Sequence, residues 1–228
     1  MHCFYCGSFM EKGGYLELDK AEHRHLFKTL RARTGEQIEL TDGKGSFGVA
    51  RVVEHQKIEL LEAATFPEPA RKLILFLAPP KKQKMDQLLK QCAEIGVWEI
   101  VPFISERSVS TPAKESTVER WRQLLLAGCK QSKNPFLPKI SLPLPFNELF
   151  NRFDFSVLPA YFGAVSGENI SFAAQLGKCG WFVGPEGGFT RQEEQMLCEH
   201  GIAGVKLGSY VLRVETAAVV GAAMLLNS

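Results

Sequence analysis

Several common sequence signals are missing from this chain, and each absence narrows what the protein can be. No apolar run approaches the about 18 residues of a membrane-spanning helix. Residues 1–6 lack the basic and apolar segments that begin a secretion signal. The glycine motifs of dinucleotide-binding folds and phosphate-binding loops are absent, which disfavours a nucleotide-dependent oxidoreductase. These absences predict a cytoplasmic protein that has no membrane partner.

Metal and charge signals are weak. Cys3 and Cys6, with His2 beside them, form half of a zinc-binding pattern, and the sequence offers no second half. The other cysteines fit reduced, buried positions. A formal net charge of +2 does not by itself indicate a nucleic-acid partner. We therefore expect no metal site, and the basic residues must be judged by where they cluster.

The pattern predicts two domains, residues 1–70 and residues 71–228. The first shows short alternating strands, an Asp-Gly hairpin signal at 42–43, and one helix. That helix is predicted to run from Asp19 to about Leu30, with Glu22 completing an acidic capping box. Several short strands with one helix are typical of a small barrel. Two prolines within 66–70 favour an extended linker at the boundary.

The second domain alternates strands and helices, which predicts an α/β fold with a mainly parallel sheet. Apolar runs predict strands at 73–78, 99–104, 155–159, 180–183 and 204–207. Helical spacing predicts helices at 81–95, 117–130, 169–176, 191–200 and 215–226. The last helix has no polar face, which predicts burial on all sides, either inside one subunit or between two.

The strongest functional signal is a glycine loop after a predicted strand. It reads Gly184-Pro185-Glu186-Gly187-Gly188-Phe189 and precedes a capping box of Thr190 and Glu193. Ligands of open α/β sheets bind at such loops, where glycines allow close approach to the backbone. Glu186 would repel a phosphate, so a neutral or cationic ligand or ribose hydroxyls fit better. An ordinary turn with a solvated Glu is the alternative.

A second loop, at 207–217, leads into the last helix. Arg213 is permanently cationic and can hold a phosphate or an enolate-like oxygen. Glu215 or Thr216 can satisfy free amides at the start of the helix. The alternative is a surface pair between Arg213 and Glu215, which would contribute little.

Basic residues cluster in three places, which favours a polyanion such as RNA beside a β-rich accessory domain. For any single cluster, solvated charge is the alternative. The cluster of Lys81, Lys82 and Lys84 lies at a predicted helix start, where cations oppose the helix macrodipole, so this cluster suits a ligand role. Near the third cluster, Gln131 and Asn134 carry groups that can read a uracil or ribose edge. The clusters contain Arg31 and Arg33; Lys81, Lys82 and Lys84; and Lys130 and Lys133.

The two loops resemble those of the RsmE family, ribosomal RNA small-subunit methyltransferases of the SPOUT superfamily. Further matching motifs cover almost the whole chain, among them Lys84-Met85-Asp86, Glu94-Ile95-Gly96-Val97 and Ser105-Glu106-Arg107-Ser108. The resemblance implies a PUA-like RNA-binding barrel, then a SPOUT-type α/β domain with a C-terminal trefoil knot. It implies a homodimer with the last helix at or near the interface. The implied reaction uses S-adenosylmethionine to methylate N3 of a specific uridine in 16S ribosomal RNA of the small subunit.

The resemblance also implies site residues. We expect Arg213 to hold an anion or phosphate and Gln131 to orient the uracil, while Glu215 is only a candidate base. The expected cofactor-binding residues lie in three loops: Leu158, Gly184, Glu186, Gly187, Gly188, Leu207, Gly208, Leu212, Thr216 and Ala217. The expected RNA-binding residues are Arg31, Arg33, Lys81, Lys82, Arg107 and Lys133.

The chain departs from the family pattern in three motifs, one of which is the usual Arg-Thr-Glu-Thr-Ala, here Arg213-Val214-Glu215-Thr216-Ala217. The usual Gln-Ser-Gly-Arg is Gln131-Ser132-Lys133-Asn134, so only Lys133 offers a charge there, without a planar fork. The usual Arg-Ile-Leu-Arg is Tyr210-Val211-Leu212-Arg213. Two rival functions stay open at this point: a 2′-O-ribose RNA methyltransferase and a non-catalytic RNA-binding protein.

Overall fold

The computed structural model describes residues 1–9, 12–109, 114–168 and 177–227. By its internal contacts the chain forms two compact units. The first unit is Met1–Glu68 with Leu126–Leu137, and the second is Pro69–Leu125 with Pro138–Ser228. The predicted helix at 169–176 lies outside the described residues.

The first unit is built on a five-stranded sheet, counted over the described residues, in the order β1-β3-β4-β5-β2. Its strands are β1 (Cys3–Tyr5), β2 (Tyr15–Leu16), β3 (Gln37–Thr41), β4 (Ser46–Val52) and β5 (Ile58–Thr65). The predicted hairpin joins β3 to β4. Asp42 Oδ1 accepts hydrogen bonds from Lys44 N at 2.7 Å and Ser46 N at 2.9 Å, and Gly43 has φ of 67°. Only a residue that tolerates the left-handed region fits that turn.

The predicted N-terminal helix has the expected extent but changes type along its length. It begins as α1 (Lys20–Arg24) and continues as a π-helical turn over His25–Thr29. Asp19 Oδ1 caps it by accepting from Ala21 N and Glu22 N, both at 2.8 Å. The predicted capping box is half present, because the Glu22 carboxylate instead accepts from Lys130 Nζ at 2.5 Å. The chain leaves the helix at Arg31, whose φ is 55°.

The second unit is built on a parallel sheet in the order β12-β10-β11-β6-β7-β8, with β9 pairing with β7. All strand pairs of this sheet within the described residues are parallel, in agreement with the predicted mainly parallel sheet. Two of the strands have only two residues each, too short for a periodic signal, and were not predicted. The strands are β6 (Arg71–Leu77), β7 (Glu99–Ile104), β8 (Lys139–Ile140), β9 (Leu144–Pro145), β10 (Ala160–Glu168), β11 (Gly177–Val183) and β12 (Ala203–Val205).

Helices cover this sheet, and phenylalanine rings fill much of the space beneath them. Phe76 of β6 and Phe182 of β11 stack with ring centroids 4.2 Å apart. Phe103 and Phe189 stack in the same cluster at 6.1 Å. This core anchors the strand ends from which the loops leave. The helices are α2 (Lys82–Glu94), α3 (Glu115–Ser132), α4 (Leu149–Arg152), α5 (Arg191–Glu199) and α6 (Val214–Asn227).

The strand predicted at 155–159 is wrong: this segment forms turns, and β10 begins at Ala160. The cause is Asp154, whose Oδ1 accepts from Ser156 N at 3.0 Å and Ser156 Oγ at 2.6 Å. Such local side-chain bonds compete with strand pairing. Leu158 therefore precedes β10, at the amino-terminal end of the strand, and is buried in the core.

The apolar helix α6 packs against β6, β11 and α2. Its buried residues are Val214, Ala218, Gly221, Ala222 and Leu225. Val219 and Val220 are half-buried, and Met224 is 40% exposed. The alternative of full burial inside one subunit is thus wrong, because β6, β11 and α2 leave part of the helix surface uncovered, and burial between two subunits stays a prediction. Among the described residues, no helix has both the length and the apolar character needed to cross a membrane.

Candidate active site

The two predicted ligand loops leave the sheet at the same edge. Strand β10 lies between β11 and β12 and is parallel to both. Their carboxyl ends therefore share one edge, and loops 184–189 and 206–213 begin about two strand spacings, roughly 10 Å, apart. Ligands of open α/β sheets bind at this kind of edge.

The glycine loop presents bare backbone outward. Gly188 has φ of 70°, and its N–H donates to Pro185 O at 2.8 Å, which closes a tight turn. A Cβ at Gly188 would meet no atom within 4 Å, whereas one at Gly184 would lie 3.1 Å from the Phe189 ring. Gly184 is thus required for packing. Gly188 is required for backbone conformation and leaves open space in front of the loop.

A buried glutamate fixes the exit of this loop. The predicted capping box is confirmed: Glu193 Oε2 accepts from Thr190 N at 2.8 Å, and Glu193 N donates to Thr190 Oγ1 at 3.2 Å. The second oxygen of Glu193 accepts from Glu106 N at 3.0 Å, in the segment that follows β7. One carboxylate therefore holds the start of α5 and the loop after β7 together.

Arg107 was expected to contact RNA, but the structure places it on the glycine loop. Its Nη1 donates to Gly187 O at 2.9 Å and Phe189 O at 3.3 Å. The Arg107 side chain also packs beside Gly187, where a Cβ would lie 3.3 Å from Cδ. The guanidinium therefore supports the loop that presents Glu186 and Gly188.

The second loop is largely exposed. Gly208 would tolerate a Cβ without contact, and Leu207 and Leu212 are half-buried. Tyr210 and Val211 are 87% and 78% exposed. The Arg213 guanidinium is exposed and makes no hydrogen bond or ion pair with any described residue. The alternative of an Arg213–Glu215 surface pair is therefore wrong for this structure.

Lys84 connects the glycine loop to the start of α6. In the sequence, this lysine belongs to a basic cluster that favours RNA. Lys84 Nζ lies 3.0 Å from Glu186 Oε1 and 3.5 Å from Glu215 Oε2. The hydrogen bond to Glu186 is the main cause that raises the pKa of Lys84, and the same bond lowers the pKa of Glu186. Glu215 Oε2 is buried and accepts no hydrogen bond from a described residue. Thr216 and Ala217 lie in the same first turn of α6 as Glu215, and Thr216 is exposed.

These groups suit a ligand that carries positive charge and hydroxyls. Glu186, Lys84 and Glu215 together carry one net negative charge, while Lys81 also acts on Glu186 and the exposed Arg213 lies two residues before Glu215. The exposed backbone at Gly187 and Gly188 allows close approach. Leu158 does not belong to this set, because it lies at the opposite end of its strand.

The segment Leu126–Leu137 belongs to the first unit and carries Gln131 and Lys133. Lys133 has φ of 60° just after α3 ends, and Asn134 N donates to Cys129 O at 3.1 Å, as in a Schellman cap. This position favours glycine, the residue that the family pattern has there. Lys133 Nζ binds the buried Glu39 at 2.7 Å, while Gln131 is exposed. Arg213 and Glu215 lie in the second unit.

The half zinc pattern lies in buried surroundings. Burial, with a further contribution from Glu39, raises the pKa of Cys3 to about 12. Burial raises the pKa of Cys6 to about 12. Both values disfavour the thiolate that metal binding requires. No group of three metal-ligating side chains occurs in the parts of the chain that the structure describes.

Four predicted RNA-binding residues have exposed side chains. Arg31 and Arg33 lie just beyond the N-terminal helix, while Lys81 caps α2 and Lys82 begins it. None of the four makes a side-chain hydrogen bond or ion pair with a described residue. They therefore remain available to a polyanion, unlike Arg107 and Lys133.

Comparison with known proteins agrees with this geometry. The family model for an RNA methyltransferase domain matches residues 67–226, and the model for an RNA methyltransferase PUA domain matches residues 18–61. The ribosomal RNA small subunit methyltransferase E of Aquifex aeolicus is 30% identical over the full length of both chains.

Solved structures show the same fold. The Neisseria gonorrhoeae ribosomal RNA small subunit methyltransferase E bound to S-adenosyl methionine is 30% identical, with a TM-score of 0.87. The match covers 98% of this chain and 95% of that one. A Legionella pneumophila structure in complex with the same cofactor has a TM-score of 0.88 at 24% identity, and covers 98% and 96%. The resemblance seen in the sequence is thus confirmed, and the chain belongs to the RNA methyltransferase family of the ribosomal RNA small subunit methyltransferases E.

Proposed function

We propose that this protein methylates N3 of a specific uridine in 16S ribosomal RNA, using S-adenosylmethionine as the methyl donor. The observation that supports this best is the pair of loops at one sheet edge, 184–189 and 206–213, in a chain of the RNA methyltransferase family. The bare glycine backbone and the carboxylates there fit a cationic, hydroxyl-bearing cofactor. A solved relative, from Neisseria gonorrhoeae, is bound to that molecule.

Residues of both loops would hold the cofactor. When bound, it supplies a methyl group on a cationic sulfonium, and transfer to uracil N3 leaves a neutral thioether and releases the N3 proton. In the proposed site, acidic side chains face the cation, glycine backbone allows close approach, and apolar side chains line the edge. The residues are Gly184, Glu186, Gly187, Gly188, Leu207, Gly208, Leu212, Thr216 and Ala217.

The chain's own residues must orient the uracil and manage one proton. Uracil N3 carries a proton at neutral pH, so the proton must leave and the resulting anion must be stabilised. Arg213 is exposed and uncommitted, which suits an anion holder. Glu215 Oε2 is buried, and Lys84 Nζ lies 3.5 Å from it, so this carboxylate is the candidate proton acceptor and Lys84 is the cation beside it. Gln131 would orient the uracil through its amide.

RNA binding is assigned to the exposed cations. Arg31, Arg33, Lys81 and Lys82 have uncommitted side chains, and residues 18–61 match a PUA domain of RNA methyltransferases. Arg107 and Lys133 leave this set, because loop carbonyls and Glu39 already occupy them. The RNA-binding domain is proposed to span residues 1–70 and the methyltransferase domain residues 71–228.

Assembly and topology complete the proposal. The half-exposed apolar face of α6 supports a homodimer with this helix at the interface. A trefoil knot in the C-terminal segment, a substrate within the small ribosomal subunit and a cytoplasmic location follow from the family resemblance. Each of these is a proposal about this chain.

The test is product analysis. Small ribosomal subunits and free 16S RNA from cells lacking the protein are incubated with the purified chain and S-adenosylmethionine. The RNA is then digested to nucleosides, and the expected product is N3-methyluridine from one site. A 2′-O-methylated nucleoside would establish the ribose-directed rival. Binding of RNA with no methyl incorporation into either substrate would establish the non-catalytic one.

A further inference from the structure

Lys84 contacts the glycine loop and the start of α6, although it belongs to neither. It lies in the first turn of α2, which follows β6, the sheet neighbour of β11. Its Nζ reaches Glu186 in the glycine loop at 3.0 Å and Glu215 in the first turn of α6 at 3.5 Å. Three segments that are distant in sequence therefore meet at one ammonium group.

The location of this lysine is unfavourable without its partners. A cation in the first turn of a helix opposes the helix macrodipole. Two carboxylates offset that cost, and the side chains of all three residues are only partly exposed. One ammonium between two carboxylates leaves one net negative charge on these three side chains, and Lys81 acts on Glu186 from nearby. This arrangement also leaves Glu215 Oε2 buried without a hydrogen bond.

We propose that Lys84 is a positioning residue that ties the glycine loop to the start of α6 and sets the charge of the cofactor site. This inference rests on the proposed function. The three side chains carry one net negative charge, which favours the cationic sulfonium of S-adenosylmethionine over the neutral thioether of S-adenosylhomocysteine. Lys81 near Glu186 and Arg213, two residues before Glu215, offset part of this attraction, and Lys84 reduces the repulsion between the two carboxylates.

The experiment measures affinity for the two molecules by calorimetry on the full-length protein. In Lys84→Met the stem is kept and the charge is lost. Both affinities should fall, because the two loops are no longer joined. The preference for S-adenosylmethionine over S-adenosylhomocysteine should nevertheless rise, by about two- to fivefold for a partly exposed charge. Lys84→Arg should restore both affinities and the preference.

Two further variants, one that removes a carboxylate of the site and one that removes a cation elsewhere on α2, make the test more specific. Glu186→Gln removes one carboxylate and should lower the preference, the reverse of the Lys84→Met result. Lys90→Met removes an exposed cation from the same helix and should change neither affinity nor preference. Added salt should reduce the preference of the unaltered protein, because the charges are partly exposed.

The outcomes separate this inference from the proposed function. If the unaltered protein fails to bind S-adenosylmethionine, the proposed function fails first. If it binds, and Lys84→Met lowers both affinities by the same factor, Lys84 is a structural link only and the charge role is overturned. Unchanged affinities in Lys84→Met would overturn the whole inference. Circular dichroism of each variant confirms that a lost affinity does not reflect unfolding.

Discussion

Gly221 of α6 lies directly against the indole of Trp181 in β11, so close that a Cβ at this position would overlap the ring. Trp181 is fully buried, and its Nε1 donates to Ala217 O at 3.1 Å. The ring and the helix therefore fix each other. Glu215 lies only half a helical turn from Ala217, so this contact also sets where the candidate base is held.

Replacing Gly221 with Ala should destabilise the protein by about 1 to 3 kcal/mol, as overpacking of a rigid core does. Gly163→Ala is the matched control, since its Cβ would lie 3.6 Å from the same ring, an ordinary contact. Urea unfolding of the two variants and the unaltered protein measures the difference. Equal stability of Gly221→Ala and the unaltered protein would show that α6 does not pack on Trp181 as described.

Gly188 offers a way to separate backbone strain from ligand contact. Its φ of 70° makes Ala cost about 1 to 2 kcal/mol, while Asn tolerates that region better. We expect Gly188→Asn to fold with nearly unaltered stability. Its affinity for S-adenosylmethionine should fall by about tenfold or more, because the Asn side chain blocks the close approach of the cofactor to the backbone, and a loss of about 1.4 kcal/mol of binding free energy corresponds to a factor of about ten. Calorimetry and thermal unfolding are the measurements. An Asn variant with unaltered affinity would remove Gly188 from the cofactor site.

Arg107 should matter for the cofactor and not for RNA. Its two hydrogen bonds to the Gly187 and Phe189 carbonyls are charge-assisted. In protected sites each such bond contributes about 1.5 to 3 kcal/mol to stability, and in this partly exposed site it contributes less. Arg107→Ala should therefore weaken cofactor binding several-fold. The salt dependence of RNA binding should stay the same, because no phosphate contact is lost. Arg122→Ala, an exposed arginine of α3, is the control. A shallower salt slope in Arg107→Ala would restore the RNA role expected from sequence.

The ion pair of Lys84 and Glu186 predicts a wide pH window. The Glu186 pKa is lowered from 4.5, so its contribution is present above that value and disappears as pH falls through the lowered pKa. The Lys84 pKa is raised from 10.5, so its contribution is present below that value and disappears as pH rises through the raised pKa. The ratio of cofactor affinities between the unaltered protein and Lys84→Met should thus be constant from about pH 6 to about pH 9. A pronounced slope within that window would contradict the pairing.

The exposed face of α6 predicts a dimer that one charge can disrupt. Met224 is the most exposed large apolar residue of this helix, and Val220 lies one turn before it. Burying a glutamate in an apolar interface without a partner is unfavourable by several kcal/mol. Light scattering should therefore report a dimer for the unaltered protein and a monomer for Met224→Glu at micromolar concentration. A monomeric unaltered protein would end the dimer proposal, and circular dichroism checks that the variant folds.

The features that the sequence predicted correctly depend on interactions between residues that are close in the sequence. Alternation of strands and helices indicated the parallel sheet, and the Thr190–Glu193 capping box is local in sequence and forms as expected. The strand predicted at 155–159 is wrong for a local reason as well, because Asp154 hydrogen-bonds to the neighbouring Ser156. The two loops were found because glycine and charged residues follow predicted strands.

Only the tertiary structure determined which side chains pair when they lie far apart in the sequence. Nothing near Lys84 in the sequence indicates that Glu186, 102 residues away, is its partner. Arg107 looked like a free cation until the fold placed the glycine loop 80 residues on beside it. The sequence by itself determined which segments form strands, caps and ligand loops, since these depend on neighbouring residues. The packing of strands in the order β12-β10-β11-β6 determined which charges meet, because only the sheet brings those segments to one edge.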